Sequence, residues 1–154
     1  MSGFIAITSD DWCSFLQKNG SDCAVFWRKK TSFKALQNGE PFFFLNRKRK
    51  GGMRFGVGYG IFNNWELLDS KDAWRKYGTQ LGFPTETDFM QGVTDMYGRY
   101  DVELGCICLI NMRFYEHGIA PEQCGVDFSP YIVSGKTISD NECRNLLNAL
   151  ERSK

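Results

Sequence analysis

Four basic residues in a row, Arg47-Lys48-Arg49-Lys50, run into Gly51-Gly52 and are followed by Arg54. A second basic run, Arg28-Lys29-Lys30, comes directly after Phe26-Trp27. Guanidinium and ammonium groups at this density hold phosphate oxygens, which positions a protein on a nucleic acid without specifying sequence. Lys136 is a further candidate phosphate contact. Arg28 to Arg54 contains nine basic residues and one acid, Glu40, so the segment carries +8; the remainder, with ten basic and seventeen acidic residues, carries −7. The overall +1 conceals this asymmetry. Guarding a sheet edge against aggregation needs only a lysine or so, whereas charge concentrated this far creates a field that attracts a polyanion.

Aromatic residues are interleaved with these charges: Phe26, Trp27, Phe33, Phe55, Tyr59, Phe62 and Trp65. Most must be core, but a base offers a π-face to any aromatic left over. Trp27, at a strand end beside Arg28, is the leading candidate to stack on a base, with Tyr59, Trp65 and the later Tyr131 as further candidates. Asn63 or Asn64 would read the base edge. Basic and aromatic residues interleaved in one hairpin suit recognition of a base extruded from its duplex.

Other chemistry finds less support. Cys106-x-Cys108, His117 and Cys124 could be assembled as zinc ligands, but no CxxC pair exists and the spacing to the histidine is unusual. On a strand Cys106 and Cys108 point to one face between Leu104 and Ile110, as a buried apolar face would. A Cys-His pair on His117 has no local signature. Asp101-x-Glu103 is the one paired-carboxylate candidate for a nuclease, and an HNH-type centre needs several histidines where the chain has one. Gly56-Val57-Gly58-Tyr59-Gly60 lacks the Lys-Ser/Thr ending of a phosphate loop. No catalytic residues, metal or cofactor are therefore expected.

A chain of 154 residues fits one domain and buries roughly 70% of its unfolded surface. Thirteen Phe, six Tyr and four Trp are more than one small core hides, so some serve a surface or pocket. The N-terminal MSGFIAITSDDW has no basic region followed by an apolar run, so no leader is expected. No stretch is apolar enough for a bilayer, and the expected setting is the cytoplasm, with six reduced cysteines.

The elements that must position these residues follow from periodicity and punctuation. Thr8 to Leu16 reads as a capped helix and Cys23 to Arg28 as a strand. Phe33 to Leu36 reads as a helical turn, and Asn38 to Pro41 as a turn. Pro41 to Asn46 and Met53 to Phe62 read as the two strands of a hairpin around the basic loop. Gly56, Gly58 and Gly60 share one face of the second strand, which lets a helix, a sheet or a ligand approach closely. Asp69 to Leu81, Thr85 to Tyr97 and Ser139 to Arg152 read as helices. Glu103 to Asn111 reads as a buried strand, Met112 to Phe128 as a long loop, and Ile132-Val133 as a brief strand pairing. Strands with segregated helices make the class α+β, with a twisted, barrel-like sheet.

The collinear order FIAITSDDW, FWRKKTSFKALQNGEPFFFL, GVGYGIF, SKDAWRKYG, GCICLINMRFYE and FSPYIVSGKT resembles the N-terminal domain of predicted HNH restriction endonucleases. The resemblance runs from Phe4 to about Leu150. It implies a PUA-like, SRA-like fold over residues 1–154. It also implies a module that reads double-stranded DNA, with a modified base flipped into an aromatic pocket, for an HNH nuclease domain or subunit that cuts. Lys29 stands where the family usually has proline, GVGYG replaces a common GGGFF, and Tyr131 stands where the family tends to have asparagine. PUA-like folds also serve RNA, so an RNA-binding module is the alternative, and a nucleotide-acting hydrolase is the third reading.

Overall fold

The computed structural model describes residues 1–29, 32–132 and 134–153. Strands β1 (Gly3–Thr8), β2 (Ala24–Arg28), β3 (Pro41–Asn46), β4 (Gly56–Asp69), β5 (Glu103–Ile119) and β6 (Gly135–Ile138) form one sheet in the order β2-β5-β4-β3-β1-β6. Helices α1 (Asp10–Asn19), α2 (Ser70–Tyr77), α3 (Glu86–Tyr97) and α4 (Asp140–Arg152) flank it. Every pairing is antiparallel except β1 with β3. The α+β class expected from the sequence is what the chain adopts.

Helix starts follow the capping rules. Ser9 Oγ accepts from Trp12 N, Asp69 from Asp72 N, Thr85 from Asp88 N, and Ser139 forms a reciprocal capping box with Glu142. Gly20 and Gly98 end α1 and α3 in the left-handed region.

Strand alternation sorts the core. Phe4, Ala6, Phe42, Phe44, Ile107 and Leu109 face inward with Trp12 and Leu16 of α1. Ile5, Ile7, Phe43 and Leu45 face outward against Cys143, Leu146 and Leu150 of α4. Val25, Leu104 and Cys106 face outward against Ala73 of α2 and Phe89 and Val93 of α3.

The sheet is open in its hydrogen bonding but strongly curled. β2 and β3 are separated by β5 and β4, about 14 Å in a flat sheet. The rings of Phe26 on β2 and Phe42 on β3 nevertheless have centroids 5.1 Å apart. Phe26 also meets Trp12 of α1 at 5.9 Å.

Curling on this scale is produced by β-bulges, and the β4–β5 register shifts between Gly56 and Gly58, Tyr59 and Ile61, and Phe62 and Asn64. At the middle shift Tyr59 pairs with Arg113 and Ile61 with Ile110, so β5 carries an extra residue there. Asn111 absorbs it at φ 52, a conformation asparagine tolerates better than most residues. The expected close approach over the glycine face comes from the neighbouring strand β5. A Cβ on Gly58 would run into the Arg113 carbonyl oxygen and sit 3.0 Å from Phe114 Cδ1; one on Gly60 would sit 2.7 Å from Met112 Sδ.

Several sequence expectations change. β1 was not expected as a strand, because all six of its residues are buried and show no alternation to read. β4 runs past Phe62 to Asp69, and β5 runs past Asn111 to Ile119, into what reads as loop. Both extensions follow bulges, which break the period of two. Phe33 to Leu36 is not helical; Phe33 and Leu36 instead plug the inner core. Ile132 is in no strand, Val133 lies outside the described residues, and the pairing with β1 is made by Gly135–Ile138.

Gly58→Ala is expected to destabilise the protein by about 3 kcal/mol, since neither backbone can yield without breaking the ladder. Gly56→Ala, whose Cβ would meet Ile119 O at 3.3 Å, should cost under about 1 kcal/mol. Urea unfolding of the two variants checks this ranking.

Candidate nucleic-acid interface

The basic run folds as the expected hairpin. β3 and β4 pair up to Leu45 and Gly56, and Asn46 N donates to Phe55 O at 2.9 Å. Lys50 and Met53 exchange both backbone hydrogen bonds at the tip, at 2.8 and 3.1 Å. Gly51 and Gly52, at φ 59 and 82, occupy the two central positions, where a tight hairpin turn demands positive φ. Arg47, Lys48, Arg49 and Lys50 are exposed and Arg54 is half-buried. Arg54 Nε donates to Arg47 O at 3.2 Å, and Arg47 N donates to Asp10 Oδ1 at 2.8 Å, which ties the hairpin to the start of α1. Among the described residues the side-chain ion pairs are Arg75–Asp72, Lys76–Glu66, Arg99–Asp101 and Arg144–Asp140. None of them involves a residue between Arg28 and Arg54.

Next to Arg47 is a cleft of about 80 Å³, walled by Trp12, Phe26, Trp27, Phe83 and Met96, with Ile7, Thr8 and Ser9 along its side. The curl of the sheet makes this cleft, because it brings the end of β2 up to the β1–α1 junction. Arg47 of the basic hairpin is on the lining of this aromatic hollow, while Arg28, next in sequence to Trp27, is off the lining and packs over Phe33. Beside the cleft the Trp12 indole Nε1 is buried with no hydrogen-bond partner among the described residues. A Cβ on Gly82 would sit 2.7 Å from it, so the glycine closes over the indole edge. A buried orphan donor costs about 1–3 kcal/mol and marks a place where packing has been held against hydrogen-bond satisfaction. Thr8 Oγ1 donates to Ala6 O at 3.0 Å, so towards the cleft it can only accept.

Trp27 forms part of this wall and is anchored from behind. Its Nε1 donates to Leu81 O at 2.9 Å, and its ring meets Phe89 edge-on at 5.4 Å, with Phe83 and Tyr97 farther off. Arg28 lies over the Phe33 ring at 5.3 Å, with burial holding its guanidinium below its ordinary range. Lys29 Nζ lies over the Tyr97 ring at 5.9 Å, and its backbone N–H donates to Tyr97 Oη. Lys30 lies outside the described residues. Lys136 Nζ donates to Asp127 O.

The candidate base-binding residues do not converge. Tyr59 packs on the outer face with Phe43 and Tyr115, at 5.6 and 6.4 Å. Trp65 packs half-buried against the inner core. Asn63 and Asn64 are exposed on β4, away from the cleft, and Tyr131 is 88% exposed. Trp12, Phe83, Met96, Thr8 and Ser9 were not anticipated at the site. Their one sequence signal was apolar or capping periodicity, which reads as structure.

No family model and no curated protein matches the chain. Among solved structures, ASCH from Zymomonas mobilis superposes with a TM-score of 0.61 at 16% identity, covering 94% of each chain. A tyrosine-to-phenylalanine variant of it gives 0.63 at 11% identity over 95% of this chain and 96% of that one. A serine-to-alanine variant gives 0.63 at 12% identity over 96% and 95%. The fold is PUA-like. At these identities the likeness carries the fold alone.

Within the PUA-like framework the other candidate chemical groups are dispersed. Cys106 and Cys108 share the α2–α3 side of the sheet, Cys124 packs on the α4 side and His117 is exposed. Burial pushes the Cys106 thiol up to about 12 and raises Cys108 and Cys124 as well. Asp101 is gripped by both Arg99 nitrogens, at 2.8 and 2.9 Å, which holds its carboxyl at about 2 and makes it a poor proton acceptor near neutral pH. Among the described residues no three His, Cys, Asp or Glu side chains are grouped to hold a metal, and no helix is long and apolar enough to cross a membrane.

Trp27→Phe keeps a ring on the cleft wall but loses the bond to Leu81 and the packing of the second indole ring; it should cost about 1–2 kcal/mol. Trp27→Ala removes wall and anchor together and should cost about 3 kcal/mol. Chemical denaturation of both variants, followed by tryptophan fluorescence, measures the difference.

Proposed function

We propose that this chain is a nucleic-acid-binding module that holds one unpaired nucleotide at the Trp27 cleft while the basic hairpin beside it holds phosphates. The observation that carries this reading is an aromatic hollow with Arg47 of the exposed basic hairpin on its lining, a hairpin whose side chains make no ion pair among the described residues. At about 80 Å³ the hollow would take the edge of one planar ring, with Arg47 at its rim meeting the attached phosphate. Stacking and edge contacts would select the base, and the hairpin would supply sequence-independent affinity.

An unpaired base is what the cleft requires, whatever the polymer. A single strand offers one at little cost. A duplex must extrude one for a few kcal/mol, least where the base is damaged or mispaired. The finer reading, double-stranded DNA with a modified base and a separate HNH nuclease as partner, rests on the sequence resemblance. RNA is the alternative ligand on the same geometry. On this reading the chain binds and does not cut, which fits the tight pairing of Asp101 and the raised thiols.

The test is a binding panel of matched single-stranded RNA, single-stranded DNA, and duplexes carrying cytosine, methylated cytosines or methylated adenine. Log affinity against log salt should slope at about −3 to −4 for a single strand and −4 to −5 for a duplex, as for about five phosphate contacts. Replacing Arg47, Lys48, Arg49 and Lys50 together by Ala should flatten the slope and weaken all ligands alike. Trp27→Ala, assayed where it is folded, should weaken the preferred ligand about tenfold or more. Unchanged affinity in the quadruple variant would reduce the hairpin to a solvated edge. Cleavage of any ligand, abolished by Asp101→Ala or Glu103→Ala, would establish the hydrolase reading instead.

A further inference from the structure

We propose a second nucleotide subsite in the other cleft that the basic hairpin borders, with Arg49 and Arg54 holding a phosphate and Tyr131 carrying the base, so that one strand is held at two nucleotides, one at each cleft. This rests on the reading of the Trp27 cleft as nucleotide-binding.

The second cleft, of about 190 Å³, shares no lining residue with the first. Arg49 and Arg54 line it from the hairpin, and Phe128, Ser129 and Pro130 line it from the segment before β6. One Arg49 nitrogen donates to Pro130 O at 3.0 Å, which fixes the guanidinium beside this segment. Arg54 spends one donor on Arg47 O. Each guanidinium has five donors, so most remain free for an incoming anion. Neither arginine has an ion-pair partner among the described residues.

The crowding shows in Arg54, whose guanidinium is drawn below its ordinary range by burial first and then by the like charges of Arg49 and Arg47. An anion between them would relieve that repulsion, and a phosphate matches the fork geometry of arginine. Tyr131 directly follows Pro130 and is 88% exposed, and its backbone N–H donates to Ser129 Oγ at 3.2 Å. An exposed aromatic ring next to an anchored arginine is a stacking platform with a phosphate contact built in. Glu122 is the one carboxylate on the lining; it makes no ion pair with either arginine, and its charge opposes an anion in the cleft. Because Arg47 lines one cleft and Arg49 and Arg54 the other, a strand occupying both must cross the hairpin.

The experiment measures the affinity of the full chain for a mononucleotide, a dinucleotide and a tetranucleotide of mixed sequence, as RNA and as DNA, by anisotropy at fixed salt. Affinity should rise about tenfold or more from mononucleotide to tetranucleotide. Tyr131→Ala should abolish the rise and leave mononucleotide affinity within about twofold, and Arg49→Ala combined with Arg54→Ala should abolish the rise as well. Glu122→Gln should strengthen the tetranucleotide alone. Thermal melts show whether each variant is folded; all four side chains lie at the surface or half-buried. A mononucleotide that binds with no gain on lengthening, or a gain that survives in the folded variants, would overturn the second subsite and leave the first standing. A length gain abolished by these variants but untouched by Trp27→Ala would support the second subsite against the first. Absence of binding by every ligand would overturn both.

Discussion

How closely β5 lies over the glycines of β4 controls the rest of the structure. Gly58 and Gly60 have no room for a Cβ, because Arg113 and Phe114 of the bulged β5 occupy that space at Gly58, and Leu109 and Met112 at Gly60. Each bulge increases local twist, and three register shifts along one pair of central strands bend the sheet. The bend carries the edge strand β2 round until Phe26 touches Trp12 and Phe42. Without it the inner aromatics would have nothing to close on, and Trp27 would not share a cleft with Arg47.

That closure sets two opposing demands at one place. The inner core wants Trp12 sealed, and it is sealed so fully that its indole N–H has no partner. The hairpin beside it carries guanidinium and ammonium groups that repel one another and make no ion pair among the described residues. Both features are destabilising by themselves. The side-chain ion pairs among the described residues form elsewhere: Glu66 with Lys76, Asp72 with Arg75, Asp101 with Arg99 and Asp140 with Arg144. A fold that keeps its ion pairs away from its most basic segment leaves that segment free for an external anion, which is the physical basis of the binding reading.

The anchoring of Trp27 shows how a site residue can be structural as well. Its N–H is committed to Leu81 O and its edge to Phe89, so the ring is held in one orientation and only part of it faces the cleft. A rigid wall loses little entropy when a ligand stacks on it. The hairpin is fixed in the same way, by the Gly51-Gly52 turn, by Asn46 to Phe55 and by Arg47 to Asp10.

Local physics was legible in the residues themselves. Ser9, Asp69, Thr85 and Ser139 announced their helices because capping is an interaction within one turn. Pro41 to Asn46, the basic hairpin and its Gly-Gly tip followed from neighbours in sequence, and the charge asymmetry is arithmetic on the chain. Met112 and the residues after it read as loop because the bulge at Asn111 erases the period of two on which strand recognition depends. β1, buried on both faces, had no period to show. Which aromatics meet was decided only in three dimensions. Trp27, Tyr59 and Trp65 look alike in sequence, yet strand direction and bulges send them to three different apolar clusters. Trp12 and Phe83 arrive at the cleft because the curl of the sheet brings the end of one strand to the start of a helix. A contact between segments this far apart depends on the geometry of every strand between them, and no local pattern encodes it.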